Sequence, residues 1–456
     1  MIITYNSLSY TGLMEGYSMT RKTDVVVNDY ATSRVPADQK KSDWDVAIVT
    51  AGFCIAMSGL FTGSAMAAGL TFQQALIAAI LGNTILTIYG TFLGIAGAKE
   101  GVSTSMLARH SFGRQGSKLV SLVLALTMLG WFSVQVGFFG TTIHAMFPSG
   151  GFLTNAKVSG FWGGILMLLT AYYGYKGLSL LSKIVIPLIF VTSIIGIAAA
   201  VNQSGGWSAL SIIVPEARIG ISTGIVIAVG SFAAGASAQA DITRYAKSAK
   251  SAVIATIFGY LGANLFVIMA GFITTLATGA GDLPNAMLML GLGIPALIVL
   301  IGAQWTTNDN NLYTASLGLA NILKVKKSVI VLVTGVLATL VGVAGLADYF
   351  IGWLVILGTG VPPMAGVIVA DYYAVKNQKY DYGAGTTYAN WNVWAVVSWA
   401  VGGIFGYFVH WGSGSVNSLV ISFVLYVVLM KVFDKSRIGH IGEHIEQPLI
   451  LETEGA

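Results

Sequence analysis

Twelve times along its length this chain runs apolar for long enough to cross the roughly 30 Å hydrocarbon core of a bilayer. The runs lie near residues 46–69, 72–97, 119–146, 158–176, 180–201, 219–240, 251–278, 294–323, 328–346, 349–372, 391–411 and 416–433. No water-soluble fold suits that pattern, because only 9% of the residues are charged, against about a quarter in a soluble domain. The runs are continuous and do not alternate, which predicts helices and argues against the strands of a membrane barrel. The predicted fold class is an all-α integral membrane protein with twelve transmembrane helices. The 56 glycines against 9 prolines suit helices that pack closely or unwind inside a membrane.

Charge placement tests this partition. With residues 1–43 as a cytoplasmic N-terminal tail, alternate loops fall on one side and hold all of the 24 lysines and arginines except Lys157 and Arg218. That distribution obeys the positive-inside rule, and one misplaced span would scramble it. It predicts a multi-pass inner-membrane protein whose two tails, 1–43 and 434–456, are both cytoplasmic. The net charge of +5 then reflects topology. The expected partner is the lipid bilayer and not nucleic acid. A single cysteine, Cys54, excludes a disulfide framework or a cysteine metal site. No phosphate-binding glycine loop ending in Lys is present, which disfavours ATP-driven transport.

A longer regularity overlies the spans. Gly59 and Ala234, Trp131 and Thr306, and Pro187 and Pro362 are each 175 residues apart. Five spans separate each pair, an odd number, so the second copy would be inverted in the membrane. The predicted organisation is a five-helix repeat over 44–201, an inverted repeat over 202–375, and helices 11 and 12 within 376–433.

Three places could carry chemistry. Spans 1 and 6 contain Gly/Ser-rich interruptions at residues 52–64 and 230–237, where a helix can unwind and free backbone groups to line a site. Small-residue packing explains either one alone; two at corresponding repeat positions favour a site. Span 8 carries the run Ala303-Gln304-Trp305-Thr306-Thr307-Asn308-Asp309-Asn310-Asn311, too polar for lipid unless it faces a cavity or other polar groups. The adjacent hydroxyls of Thr306 and Thr307 offer the oxygen ligands a hard cation prefers, and an unwound span 1 can add carbonyls. In span 3, Trp131 and Gln135 share a helix face. An indole stacks on a planar heterocycle and an amide donates and accepts at its edge.

These segments carry a family resemblance. Gly-Ala-Lys-Glu-Gly (97–101), Leu-Ala-Arg-His-Ser-Phe-Gly (107–113), Gly-Trp-Phe (130–132), Gly-Ser-Phe (230–232), Ala-Asp-Ile-Thr-Arg-Tyr (240–245), Trp-Thr-Thr-Asn-Asp-Asn (305–310) and Val-Pro-Pro (361–363) resemble the nucleobase–cation symporters of purine/cytosine permease type. The resemblance spans about 44–433 and is strongest to bacterial cytosine permeases. It implies a LeuT-like fold of inverted five-helix repeats plus two C-terminal helices, with a site between two bundles. By position it implies that Trp131 and Phe232 sandwich the substrate, that Gln135 lies beside it, and that Gly52, Gly230 and Asn308 line the pocket. Sodium would be held by backbone oxygens of Ala56, Gly59 and Ala303 and the hydroxyls of Thr306 and Thr307. Where cytosine permeases carry Gln, Ser and Asn, this chain has Met128, Ala234 and Ala303.

The expected function is import of a nucleobase or related planar heterocycle, cytosine leading, by sodium-coupled symport with alternating access and no cofactor beyond the coupling ion. The alternatives are a proton-coupled symporter of a purine, allantoin, a hydantoin or a pyrimidine vitamin precursor, or an uncoupled facilitator. No nucleophile–base or metal constellation suggests an enzyme. His110, His144, His410, His440 and His444 are expected to be solvated, and Asp241, Asp348 and Asp371 to be interfacial or capping. Asp309, deeper in its span, is open between ion linkage and a structural hydrogen bond.

Overall fold

The computed structural model describes residue 30 and residues 33–173, 175–323, 325–383, 385–409, 411–433 and 438–445. Arg21, Lys22, Lys324, His410, Lys435 and Arg437 lie outside the described residues, as does most of each predicted tail. Helices stand at all twelve predicted positions. Span 1 is the pair Asp43–Cys54 and Met57–Ala67, followed by Phe72–Glu100, Gly116–Met146, Ala156–Tyr173 and Tyr175–Gln203 as spans 2 to 5. Spans 6 to 9 are Ile221–Ser237, Ala249–Thr278, Gly293–Leu323 and Lys327–Val343. Leu346–Val375, Val393–Phe408 and Gly414–Phe433 complete the set as spans 10 to 12. Local chemistry sets several ends: capping boxes at Ser42–Asp45 and Thr71–Gln74 start spans 1 and 2, and Gly101, left-handed at φ +68°, stops span 2.

The interruptions are sharper than the sequence suggests. Span 1 bends by 48° at Ile55–Ala56. Span 6, where unwinding over 230–237 was expected, has a single non-helical residue, Phe232 (φ −137°, ψ 17°). Span 10 breaks at Val361, with Pro362 at the start of the next helix, whereas Pro187 sits inside span 5 without ending it. Span 7 contains a π-helical stretch, Ile257–Asn264.

Glycines join the helices into two groups. A Cβ on Gly63 of span 1 would lie 1.8 Å from the Ile268 carbonyl oxygen of span 7, and one on Gly271 would lie 1.9 Å from that of Leu60. Spans 2 and 6 also press close, with a Cβ on Gly97 lying 2.7 Å from the Ala240 Cα and one on Gly82 lying 2.6 Å from the Ala228 methyl. Spans 1, 2, 6 and 7 therefore touch backbone to backbone, the small-residue packing that holds membrane helices together. In the second group Gly140 of span 3 abuts Ala156 of span 4, and Gly342, near the end of span 9, abuts Ser133 of span 3, at 2.0 and 2.4 Å by the same measure.

The face carrying the basic loops departs most from expectation. Residues 387–392 (β1) pair antiparallel with residues 440–445 (β2), so part of the predicted tail is a strand and span 11 starts at Val393, after β1. His110, in the short helix Thr104–Phe112 between spans 2 and 3, is only partly exposed and packs among aromatic rings, where a solvated side chain was expected. Its ring stacks on Tyr380 at 3.8 Å, with Tyr382 and Tyr388 edge-on. Asp371 is buried and not interfacial. It accepts hydrogen bonds from the hydroxyls of Tyr380 and Tyr426, which replace the water a carboxylate would otherwise need. Asp241 does cap, accepting from the backbone N–H of Thr104 at 2.8 Å. The N-terminal segment of residues 33–42, which includes the 3-10 turn Ala37–Gln39, lies across this face. Arg34 pairs with Glu100 at 2.7 Å, and Lys40 Nζ donates to the Arg244 carbonyl at 2.7 Å.

Candidate functional site

Span 3 presents Trp131, Gln135 and Phe138 on one face, at i, i+4 and i+7. Phe138 stacks on Phe61 of span 1 with centroids 3.8 Å apart and planes 10° from parallel. Phe350, the first residue of the helix in span 10, meets Phe138 edge-on at 4.9 Å and Trp131 at 5.9 Å. These three rings pack against one another beside Trp131, on the side of it away from the basic loops.

Phe232 of span 6 belongs to the same buried cluster as Trp131, and no ring contact joins the two among the described residues. The Phe232 ring packs edge-on against Phe53 at 5.0 Å. It folds back over Gly235, where a Cβ would lie 2.3 Å from its Cε1. Gly52 has room beside it: the nearest atom to a Cβ there is Ile186 Cδ1 of span 5, at 3.9 Å. Gly230 has none, since a Cβ would lie 2.0 Å from the Leu354 carbonyl oxygen; its missing side chain serves the packing of span 10 on span 6.

Gln135 is the most telling residue. It is 1% exposed, yet neither its Nε2 nor its Oε1 has a hydrogen-bond partner. Each unsatisfied buried group costs about 1–3 kcal/mol, which a folded protein keeps only where something else completes the bonding.

Span 8 sorts its polar run by helix face. Within span 8 itself, the hydroxyls of Thr306 and Thr307 both donate to the Ala303 carbonyl, at 3.1 and 2.8 Å. Ala56, the extended residue after the break in span 1, offers a carbonyl that already accepts the Gly59 N–H at 3.1 Å. A Cβ on Gly59 would meet Val267 at 2.4 Å, so span 7 packs directly on the span 1 backbone there. Toward span 3, Gln304 Nε2 donates to Thr142 at 3.2 Å and Asn308 Nδ2 to the Phe132 carbonyl at 3.2 Å. Asn308 Oδ1 is buried without a partner. Toward span 4, Thr170 lies 2.8 Å from an Asp309 carboxylate oxygen and accepts from Trp305 Nε1 at 2.9 Å. Asp309 thus makes the structural hydrogen bond that was one of its two expected roles. Sequence reasoning missed the aromatic trio Phe61, Phe138 and Phe350; the one available signal was Phe138, one turn beyond Gln135.

Residues 35–433 match the family described as permeases for cytosine/purines, uracil, thiamine and allantoin. This chain belongs to the nucleobase–cation symporter family. The cytosine permease of Escherichia coli (strain K12) is 32% identical over 410 residues, covering 90% of this chain and 96% of the relative. Among solved structures, the nucleobase-cation-symport-1 transporter Mhp1 in an inward-facing conformation superposes with a TM-score of 0.76 at 19% identity, covering 88% of this chain and 93% of Mhp1. Closed Mhp1 with bromovinylhydantoin bound gives 0.73 at 19% identity, covering 89% and 96%. The chain therefore shares the fold of Mhp1 over nearly nine tenths of its length, and it is a multi-pass membrane transporter.

Proposed function

We propose that this permease imports a nucleobase or closely related planar heterocycle, cytosine first among them, by sodium-coupled symport with alternating access. One observation carries the reading: the buried amide of Gln135, with donor and acceptor both unused, on the helix face of Trp131. A heterocycle with a donor and an acceptor on one edge would satisfy both atoms while its rings stack between Trp131 and Phe232. The Escherichia coli relative is a cytosine permease, and Mhp1 has been solved with bromovinylhydantoin bound; both ligand types are flat, polar-edged rings. Met128, Ala234 and Ala303 remove polar contacts expected for cytosine, so Gln135 would carry more of the recognition here.

Sodium would bind between the oxygens of Ala56 and Gly59 and those of Ala303, Thr306 and Thr307. It would bridge the two helix groups and favour the arrangement that orders the pocket. The basic loops would face the cytoplasm of an inner membrane, and the Phe61–Phe138–Phe350 closure would then shut the outer path, leaving the site in communication with the inside.

The test is uptake of radiolabelled cytosine, uracil, hypoxanthine and hydantoin into proteoliposomes. Uptake of one of them should need an inward sodium gradient, and Trp131→Ala should abolish its binding. Uptake indifferent to sodium and proton gradients would refute symport, and retained affinity in Trp131→Ala would refute stacking. A proton as the coupling ion is the second reading, favoured by Asp309, a buried carboxylate to which, among the described residues, the Thr170 hydroxyl donates. Uptake driven by a proton gradient without sodium would select it.

A further inference from the structure

Phe232 is the non-helical residue of span 6, and both of its neighbours are held from behind by buried polar side chains on other spans. On one flank, the Tyr89 hydroxyl of span 2 donates to the Ala233 carbonyl at 3.0 Å. Tyr89 is 2% exposed, so this bond is shielded from solvent. On the other flank, Asn264 of span 7, the last residue of the π-helical stretch, donates to Asn83 Oδ1 at 2.8 Å and to the Ser231 hydroxyl at 3.4 Å. Asn83 in turn donates to the Ala79 carbonyl at 2.8 Å, which fixes the orientation of the amide pair. In front, the Phe232 ring lies over Gly235. A kink in a helix persists where a side chain supplies hydrogen bonding that the regular ladder does not.

We infer that Tyr89 is a positioning residue for substrate: its hydroxyl, bonded to the carbonyl next to the kink, holds span 6 in the bend that lays the Phe232 ring over Gly235 and presents it to the planar ligand. The inference rests on the stacking role proposed for Phe232. Tyr89 packs inside the group of spans 1, 2, 6 and 7 and donates to the far side of the kink, so it acts on the ligand only through the ring. Restoring helical torsions at Phe232 would rotate the side chain away from its place over Gly235. Tyr89→Phe removes one oxygen and keeps the ring that fills the space, so it removes the prop without opening a cavity.

The experiment is a double-mutant cycle on the purified full chain in sodium-containing buffer. It reads the Kd of cytosine, or of whichever of uracil, hypoxanthine and hydantoin the wild type binds most tightly, together with sodium affinity and melting temperature. Tyr89→Phe should raise the Kd about 3- to 10-fold, the size of one neutral hydrogen bond, and leave sodium affinity unchanged. In a Phe232→Leu background the same substitution should change the Kd less than about 1.5-fold. A Tyr89→Phe effect that is absent, or equal in both backgrounds, overturns the inference while a weakened Phe232→Leu keeps the stacking reading. A Phe232→Leu variant that binds like wild type overturns both. Should Tyr89→Phe fail to fold, Gly235→Ala reads the same geometry from the opposite side, because its methyl displaces the ring while the hydroxyl stays. It must weaken binding in the wild-type background and not in Phe232→Leu, and additive behaviour overturns the inference.

Discussion

Replacing Gln135 by Leu should make the protein more stable and a worse binder at once. The side chain is 1% exposed and both amide atoms lack partners. Leu has nearly the same volume and no polar atoms, so the variant sheds two unsatisfied groups. One group alone is worth about 1–3 kcal/mol, enough to raise the melting temperature of the ligand-free protein. Binding moves the other way. Two neutral hydrogen bonds at about 1 kcal/mol each, and one ligand group stranded without a partner at about 1 kcal/mol, sum to about 3 kcal/mol. That is a roughly 150-fold rise in Kd. Thermal unfolding of wild type and variant, each with and without the transported heterocycle, measures both effects in one experiment. A Gln135→Leu protein that melts below wild type and still binds within twofold would show that the amide is a structural member of the core, and would remove the observation on which the functional reading stands.

Three further outcomes are expected. Phe138→Ala breaks the stack with Phe61, worth about 0.5–1.5 kcal/mol, so an impermeant thiol reagent added on the side opposite the basic loops should label a Gln135→Cys reporter (in Cys54→Ala) about 2- to 12-fold faster than without it. Thr306→Val and Thr307→Val each delete one hydroxyl oxygen of the cation set, so the sodium concentration for half-maximal uptake should rise at least tenfold, while binding of the heterocycle at saturating sodium changes little; an unchanged sodium requirement would exclude these residues. His110 lies outside the membrane-spanning helices, and burial lowers its pKa from 6.5 to about 4. Because the folded value is the lower one, its contribution to stability is complete above pH 6.5 and is lost as pH falls toward 4, so the melting temperature should drop over that interval and His110→Phe should flatten the profile.

The spans were legible because burial in lipid demands long apolar runs. Span 6 was legible only as a region; the ring of the non-helical Phe232 lies over Gly235, three residues on, but Tyr89, whose hydroxyl reaches the neighbouring Ala233 carbonyl, is 144 positions away in sequence. The packing of His110 and Asp371 was invisible for the same reason, since their tyrosine partners include Tyr380, Tyr388 and Tyr426, on segments that meet only in three dimensions. Several motif residues that carry the family resemblance, among them Glu100, His110, Asp241 and Arg244, fasten the basic face and do not approach the chamber. A motif marks what a fold needs as readily as what a ligand needs.

The glycine contacts within spans 1, 2, 6 and 7 bear on how such a permease can change its diet over generations. At Gly63 and Gly271 the opposing surface is main chain, which no compensating substitution can trim, so those positions are frozen for any descendant that keeps the fold. By the family resemblance, Met128 and Ala234 stand where cytosine permeases carry polar groups, and neither is a glycine whose missing side chain admits a facing backbone. Selectivity can therefore wander by single steps while the moving part stays one rigid casting, and new substrate ranges would arise without the machinery of transport being rebuilt.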